Sequence, residues 1–184
     1  MKGTILLLIS KRDFLVTVIT QNGDDFHEQA GSTDVVYLHG EALKNASTAN
    51  PYRWYDIDCA NPDILIGDKA PDGSQPRPYV IYFGEDIERT VWKRAVEATK
   101  SADIFVVVGS TMLVFPAADL LKMILANCKL YIIDPQEVQL PDGCHHEFEH
   151  IRLGASEGMK LLAKQLDDRL DDPFNSRDAN EYQC

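Results

Sequence analysis

Three short clusters in this 184-residue chain carry side chains able to do chemistry, and each directly follows an apolar, β-branched run. Thr20-Gln-Asn-Gly-Asp-Asp25 follows Val16–Thr20 and gathers amides and carboxylates at the carboxyl end of an expected strand. In open α/β sheets that edge is where ligands bind. A polar loop in which Asn22-Gly23 makes a turn would account for the same residues, so spacing alone leaves both readings open. Leu38-His39-Gly40 ends the next run and would bring an imidazole to the same edge. A lone histidine is usually structural, but one placed there is a candidate general base, because its ordinary pKa lies near neutrality. Val108-Gly109-Ser110-Thr111 is the third cluster. Its backbone amides and hydroxyls, just ahead of a helix expected around Pro116, suit a phosphate or a ribose, and suit an ordinary helix start equally well.

The elements that must position these clusters follow from the apolar pattern. Val16–Thr20, Val35–Leu38, Tyr79–Phe83, Ile104–Val108 and Leu130–Ile133 are near-continuous apolar runs, as expected of strands buried on both faces. Helical periodicity covers Ile87 to Lys100, Pro116 to Asn127 and Ser156 to Leu170, the last with Ser156 as a cap. Strand, helix and strand in alternation predict an α/β fold with a doubly wound parallel, Rossmann-like sheet. Asn45 to Pro78 holds five prolines and little periodicity, so it is expected to leave that sheet as a small excursion, held by packing of Tyr52, Trp54, Tyr55 and Ile57. Residues 1–170 then form one domain with the excursion at 45–78, and 171–184 form a polar tail.

Composition narrows the class. The net charge of −11 argues against binding nucleic acid by phosphate neutralisation, and 45% hydrophobic with 26% charged residues is globular. Ile5–Ile9 is far shorter than the roughly 20 residues needed to cross a bilayer. Cys59, Cys128, Cys144 and Cys184 form no C-x-x-C pair, so reduced thiols in a cytoplasmic chain with no membrane association are expected.

Taken together, the clusters resemble the sirtuin family. Thr20-Gln-Asn-Gly-Asp-Asp-Phe-His-Glu-Gln-Ala-Gly-Ser32 is similar to the motif T-Q-N-[IV]-D-x-L-H-x-x-A-G-S, and His39 follows where the family carries its catalytic histidine. Arg77 to Glu85 resembles R-P-x-V-V-x-F-G-E, and Ala102 to Ala118 resembles A-D-x-x-x-x-x-G-T-S-x-x-V-x-P-A-A. The resemblance implies NAD-dependent removal of acyl groups from protein lysines, with an acylated-lysine protein or peptide as partner. It implies catalytic roles for His39, Asn22 and Asp24, with His39 as the base. Gln21, Asn22 and Asp24 would line the nicotinamide and ribose pocket, while Gly109, Ser110, Thr111 and Asp134 meet the adenosine half of the cofactor. Val80, Ile81, Tyr82, Phe83 and Gly84 would pair with substrate backbone as an added strand.

Several departures modify the expectation. Only Cys59 lies in the excursion, so the family's four-cysteine zinc site cannot form, and no metal is expected. His145, His146 and His150 are expected in a solvated loop rather than at a metal. Gly23 replaces a branched residue and would loosen a wall, and Ser110-Thr111 reverses the family's hydroxyl order. Nothing resembles the opening G-A-G-x-S segment, no Gly-x-Gly occurs anywhere, and Leu7–Val16 resembles the end of the helix before the T-Q-N strand. The chain is therefore expected to be a sirtuin lacking roughly its first third, to bind NAD weakly by itself, and to leave strand edges beside Val16–Thr20 and Ile104–Val108 unpaired. The alternatives are a non-catalytic sirtuin-like binding module that keeps the peptide groove, and an NAD glycohydrolase.

Overall fold

The computed structural model describes residues 14–58, 60–110 and 115–170, with side chains to residue 168. Along the chain run β1 (Val18–Thr20), α1 (Phe26–Gln29), β2 (Val35–Tyr37), β3 (Gly40–Ser47), β4 (Trp54–Asp56), β5 (Pro76–Val80), α2 (Arg89–Ser101) and β6 (Ile104–Val108). A 3-10 helix (Ala117–Met123), β7 (Lys129–Ile133), β8 (Phe148–Ile151) and α3 (Ala155–Leu170) follow. Thr111, Cys59, Cys184, the Leu7–Asp13 segment and the 171–184 tail lie outside the described residues.

Alternation along β6 and β7 decides the layering, because successive side chains of a strand point to opposite faces. Val106, Val108, Tyr131 and Ile133 pack with Ile151 and with Met159, Leu162 and Leu166 of α3. Phe105, Val107, Leu130 and Ile132 face the other way, onto Leu121, Ile124 and Cys128. The sheet β6-β7-β8 is parallel throughout and carries helical elements on both faces, which makes it doubly wound. β1 and β2 form a second parallel pair in register Val18↔Val35 to Thr20↔Tyr37. Ile19, Val36 and Leu38 bury against Ala95 of α2 and against Ala117 and Leu120 of the 3-10 helix. α2 is also tied to this pair by Arg94, whose guanidinium bonds the Asp34 carboxylate and, at 3.3 Å, the Val35 carbonyl. Among the described residues no strand pairs with the free edge of β1 or of β6.

Residues 40–80 build a separate antiparallel sheet of order β4-β3-β5. Its prolines sit where they cost no ladder bond: Pro76 and Pro78 lie in β5, at the edge of the three strands. The aromatic packing expected to hold this segment is only part of what holds it: the Trp54 ring lies 6.4 Å from that of Tyr79, and Tyr55 and Ile57 are partly buried. Trp54 and Tyr52 are 46% and 37% exposed. Trp54 serves as a platform for the Lys44 ammonium, 3.6 Å from its ring centroid. The interior bond is polar instead: the buried Ser47 hydroxyl donates to Asp72, lies 2.6 Å from Ser74 Oγ, and accepts the Ala49 amide at 3.0 Å. Those hydroxyl donors hold the Asp72 carboxyl down at about 2.

Four local expectations are corrected. The strand expected over Tyr79–Phe83 runs Pro76–Val80 and stops there. The helix expected over Pro116–Asn127 is a seven-residue 3-10 segment, with Asp119 and Lys122 paired at i,i+3 as three residues per turn allow. Ser156 lies inside α3 rather than capping it. His150 belongs to β8 and not to a solvated loop; its Nε2 is 3.0 Å from the Asp134 carbonyl, while His146 Nε2 meets the Ile124 carbonyl at 3.1 Å.

The two sheets are joined at Gly40. Its φ is +85°, in the left-handed region, and a Cβ there would lie 2.2 Å from the Tyr79 carbonyl oxygen. Both facts demand glycine. Gly40→Ala is expected to cost more than the roughly 1–2 kcal/mol of a left-handed residue alone, because backbone must also move. Thermal unfolding checks this: a variant that melts with the parent would contradict the junction described.

Candidate active site

His39 sits where the parallel pair β1-β2 meets the antiparallel sheet. The β1-β2 ladder continues one step past the strand, the Leu38 amide donating to the Thr20 carbonyl at 2.9 Å. On the other side the His39 carbonyl accepts the Ile81 amide at 2.9 Å, extending the β3–β5 pairing. The imidazole is half-buried, and this desolvation lowers its pKa below 6.5. The Gln21 backbone acts the other way, as the smaller effect, favouring the protonated ring.

The Thr20–Asp25 loop is folded by its own side chains. Thr20, fully buried, accepts the Asn22 amide at 3.1 Å on its hydroxyl. Gly23 lies against β3: its carbonyl accepts the Ala42 amide at 2.7 Å, and a Cβ on it would come within 3.1 Å of that nitrogen. Gly23 is thus a close approach to β3, where a side chain would need the Ala42 backbone to give by a few tenths of an ångström. Asp24 turns toward α1, its Oδ1 3.4 Å from the Phe26 amide and its carbonyl 3.1 Å from the Tyr37 hydroxyl. The Tyr37 hydroxyl also donates to Glu28 at 2.6 Å, and burial together with that carboxylate raises its pKa. Among the described residues the bonds of Asp24 run to this side and not to His39.

The second parallel sheet delivers the remaining residues. Gly109 leaves β6 with φ +58° and donates to the Ile133 carbonyl at 3.0 Å, which sets it beside Asp134 at the carboxyl end of β7. The Asp134 Oδ1 accepts the Gln136 amide at 2.8 Å. Ser110 is buried and lines one small cleft with Gln21, Phe105, Val107 and Ala117. The ends of β1 and β6, distant in sequence, therefore converge, with Gln21 facing both His39 and Ser110.

The Val80–Gly84 segment is only partly a strand. Val80 pairs with Gly40, but beyond it the chain turns, the Glu85 amide donating to the Tyr82 carbonyl at 3.0 Å. Within Val80–Gly84 the strand ends at Val80 and a turn follows, presenting Tyr82, 51% exposed, and Phe83, fully exposed. The residues that shape this turn, Arg77 and Glu85, were legible only as motif letters. Two opposite charges bracketing a Gly-containing turn were the available signal.

A parallel α/β sheet with polar residues gathered at strand carboxyl ends, opposite a cleft between two sheet halves, defines a dinucleotide-binding type of protein. The Sir2 family model matches residues 3–116. The NAD-dependent protein deacylase of Bacteroides thetaiotaomicron is 41% identical over 168 residues, covering 90% of this chain and 70% of that protein. A second protein so named, from Aggregatibacter actinomycetemcomitans, is 38% identical over 130 residues, covering 71% of this chain and 60% of its own length. A crystal structure of a Sir2 homologue–NAD complex superposes with a TM-score of 0.69 at 32% identity, over 85% of this chain and 60% of that one. The chain belongs to the Sir2, or sirtuin, family.

A folded pKa below 6.5 means that the stability contributed by neutral His39 is complete above 6.5 and is lost as pH falls through the lowered value. Nitrogen-15 NMR of the imidazole should show a neutral ring at pH 7 with its midpoint below 6.5; a midpoint above that value would contradict the burial described.

Proposed function

We propose that this chain is an NAD-dependent protein lysine deacylase domain that transfers the acyl group of an acylated lysine, with His39 as its general base. The observation that carries the reading is the convergence at His39. Its ring is influenced by the backbone of Gln21, which lines the Ser110 cleft, and its carbonyl accepts the Ile81 amide at the start of the exposed Ile81–Gly84 turn. Cofactor and peptide sites on those two sides would meet at this imidazole. Family membership and the names of the relatives support the reading.

The residues present fit the dinucleotide. Gly109, exposed at a strand's carboxyl end with nothing within 4 Å of where its Cβ would stand, leaves room for a ligand against backbone. Gly109, Ser110 and Asp134 would hold the adenosine half, with Thr111 as a further candidate, and Gln21, Asn22 and Asp24 the nicotinamide ribose. Bound NAD supplies an electrophilic sugar carbon that becomes reactive as nicotinamide departs. The chain's own part is to hold and dehydrate that carbon. His39, whose pKa burial lowers, would accept a proton on its imidazole. Val80 to Gly84 would receive the acylated peptide beside it, and Asn22 and Asp24 would orient sugar and water.

In this reading residues 1–170 make the catalytic domain, 45–78 its small excursion, and 171–184 a tail. Among the described residues no cluster of three or more His, Cys, Asp or Glu is placed to hold a metal, and Cys128 and Cys144 are buried free thiols. A zinc-free, cytoplasmic enzyme is part of this reading, and it rests on Cys59 being the single cysteine of the 45–78 segment. No helix among the described residues is long and apolar enough to cross a membrane.

The test is direct. The full chain given NAD and an acetyl-lysine peptide should release nicotinamide and deacetylated peptide in step, and His39→Ala should lower that rate about 100-fold or more. Nicotinamide release without peptide would indicate a glycohydrolase. No turnover at all would favour a binding module.

A further inference from the structure

The turn after β5 is held by one ion pair that reaches three points of it. The Arg77 guanidinium grips Glu85 in a fork, Nη1 to Oε1 at 2.5 Å and Nη2 to Oε2 at 2.8 Å. The same Nη2 donates to the Val80 carbonyl at 2.8 Å, and Glu85 Oε2 in turn accepts the Tyr82 amide at 2.9 Å. The guanidinium lies 4.5 Å from the centroid of the Tyr82 ring. Arg77 is anchored by its place in β5, opposite Ala46 of β3, so the pair ties the turn to the small sheet.

These bonds act on the backbone that the peptide would use. Extended pairing has one hydrogen-bonding direction per residue, so a host segment must have its own amides and carbonyls already aimed. Here the Val80 carbonyl goes to Arg77, the Ile81 amide to His39, and the Tyr82 amide to Glu85. The strand therefore cannot run on through Tyr82. The chain bends, and Tyr82 and Phe83 are presented to solvent. Bidentate Arg–carboxylate pairs are directional as well as strong, and a lysine cannot reproduce the fork. Glu85 stays ionised far into acid, since Arg77 pulls its pKa down to about 2.

We propose that Arg77 and Glu85 are positioning residues that fix the 81–84 backbone in the shape that accepts the acylated-lysine peptide. The proposal rests on the reading that the peptide lies along Val80–Gly84. Neither residue needs to touch the reacting atoms. Their effect is confined to the peptide side of His39, whereas the dinucleotide side is built from Gln21, Gly109 and Ser110, on other strands.

The experiment measures two affinities of the full chain by calorimetry, for an acetyl-lysine peptide and for NAD. Glu85→Gln keeps an acceptor for the Tyr82 amide and loses the ion pair; Arg77→Lys keeps the charge and loses the fork. Each should weaken the peptide about tenfold, the scale of a lost charge-assisted bond, while the NAD affinity holds. The double variant should be no weaker than the singles, because the pair acts as a unit. Unchanged peptide affinity in either single variant, or equal losses for peptide and NAD, would overturn the positioning role alone. A parent chain that binds NAD but no peptide would instead overturn the reading beneath it, and the positioning role with it.

Discussion

The close passage of residues 38–40 between two sheets is the constraint on which the rest of the site depends. Leu38 extends the β1-β2 ladder to Thr20, His39 takes the Ile81 amide, and Gly40 passes so near Tyr79 that no side chain fits. Leu38 is 1% exposed, and burying a leucine contributes about 1.5–3 kcal/mol, so the tripeptide is anchored by apolar burial as well as by backbone bonds. A histidine held on both sides has little freedom left. Among the described residues its position is fixed by backbone bonds and not by a partner carboxylate.

Electrostatics follow from that placement. Burial lowers the pKa of His39, and the Gln21 backbone opposes that shift without adding a charge. In a chain of net charge −11 a carboxylate partner would have been easy to supply and would have raised the pKa. Asp24 instead faces α1. The charged interactions of consequence lie at the periphery: Arg94 with Asp34 seats α2 on β2, and Arg77 with Glu85 shapes the exposed turn. One sets the parallel layer and the other the surface beside His39.

What could be seen in the sequence was set by burial. β6 and β7 read clearly because both faces of each strand are covered, leaving uninterrupted apolar runs. β3, Gly-Glu-Ala-Leu-Lys-Asn-Ala-Ser, was invisible: it has no β-branched residue, and much of it is only partly buried. β8 hid for a similar reason, four residues carrying Glu149 and His150 at the end of the sheet. The end of β5 at Val80 depends on Glu85, five residues on, capturing the Tyr82 amide, which no local propensity contains. The three polar clusters were legible as strand ends, and the family motifs in them were explicit. Their meeting at Gln21 and His39 was not, because it is made by the packing of strands some 90 residues apart in the chain, Gln21 against Ser110.

The central claim is that cofactor and peptide approach His39 from opposite sides. Amide hydrogen exchange of the full chain, with NAD alone, with acetyl-lysine peptide alone, and with both, tests it most directly. The account predicts NAD protection at Gln21–Asp24 and Gly109–Ser110, peptide protection at Ile81–Gly84, and overlap of the two at His39–Gly40. Protection by both ligands at one and the same segment, or NAD protection that leaves Gln21–Asp24 unchanged, would contradict it.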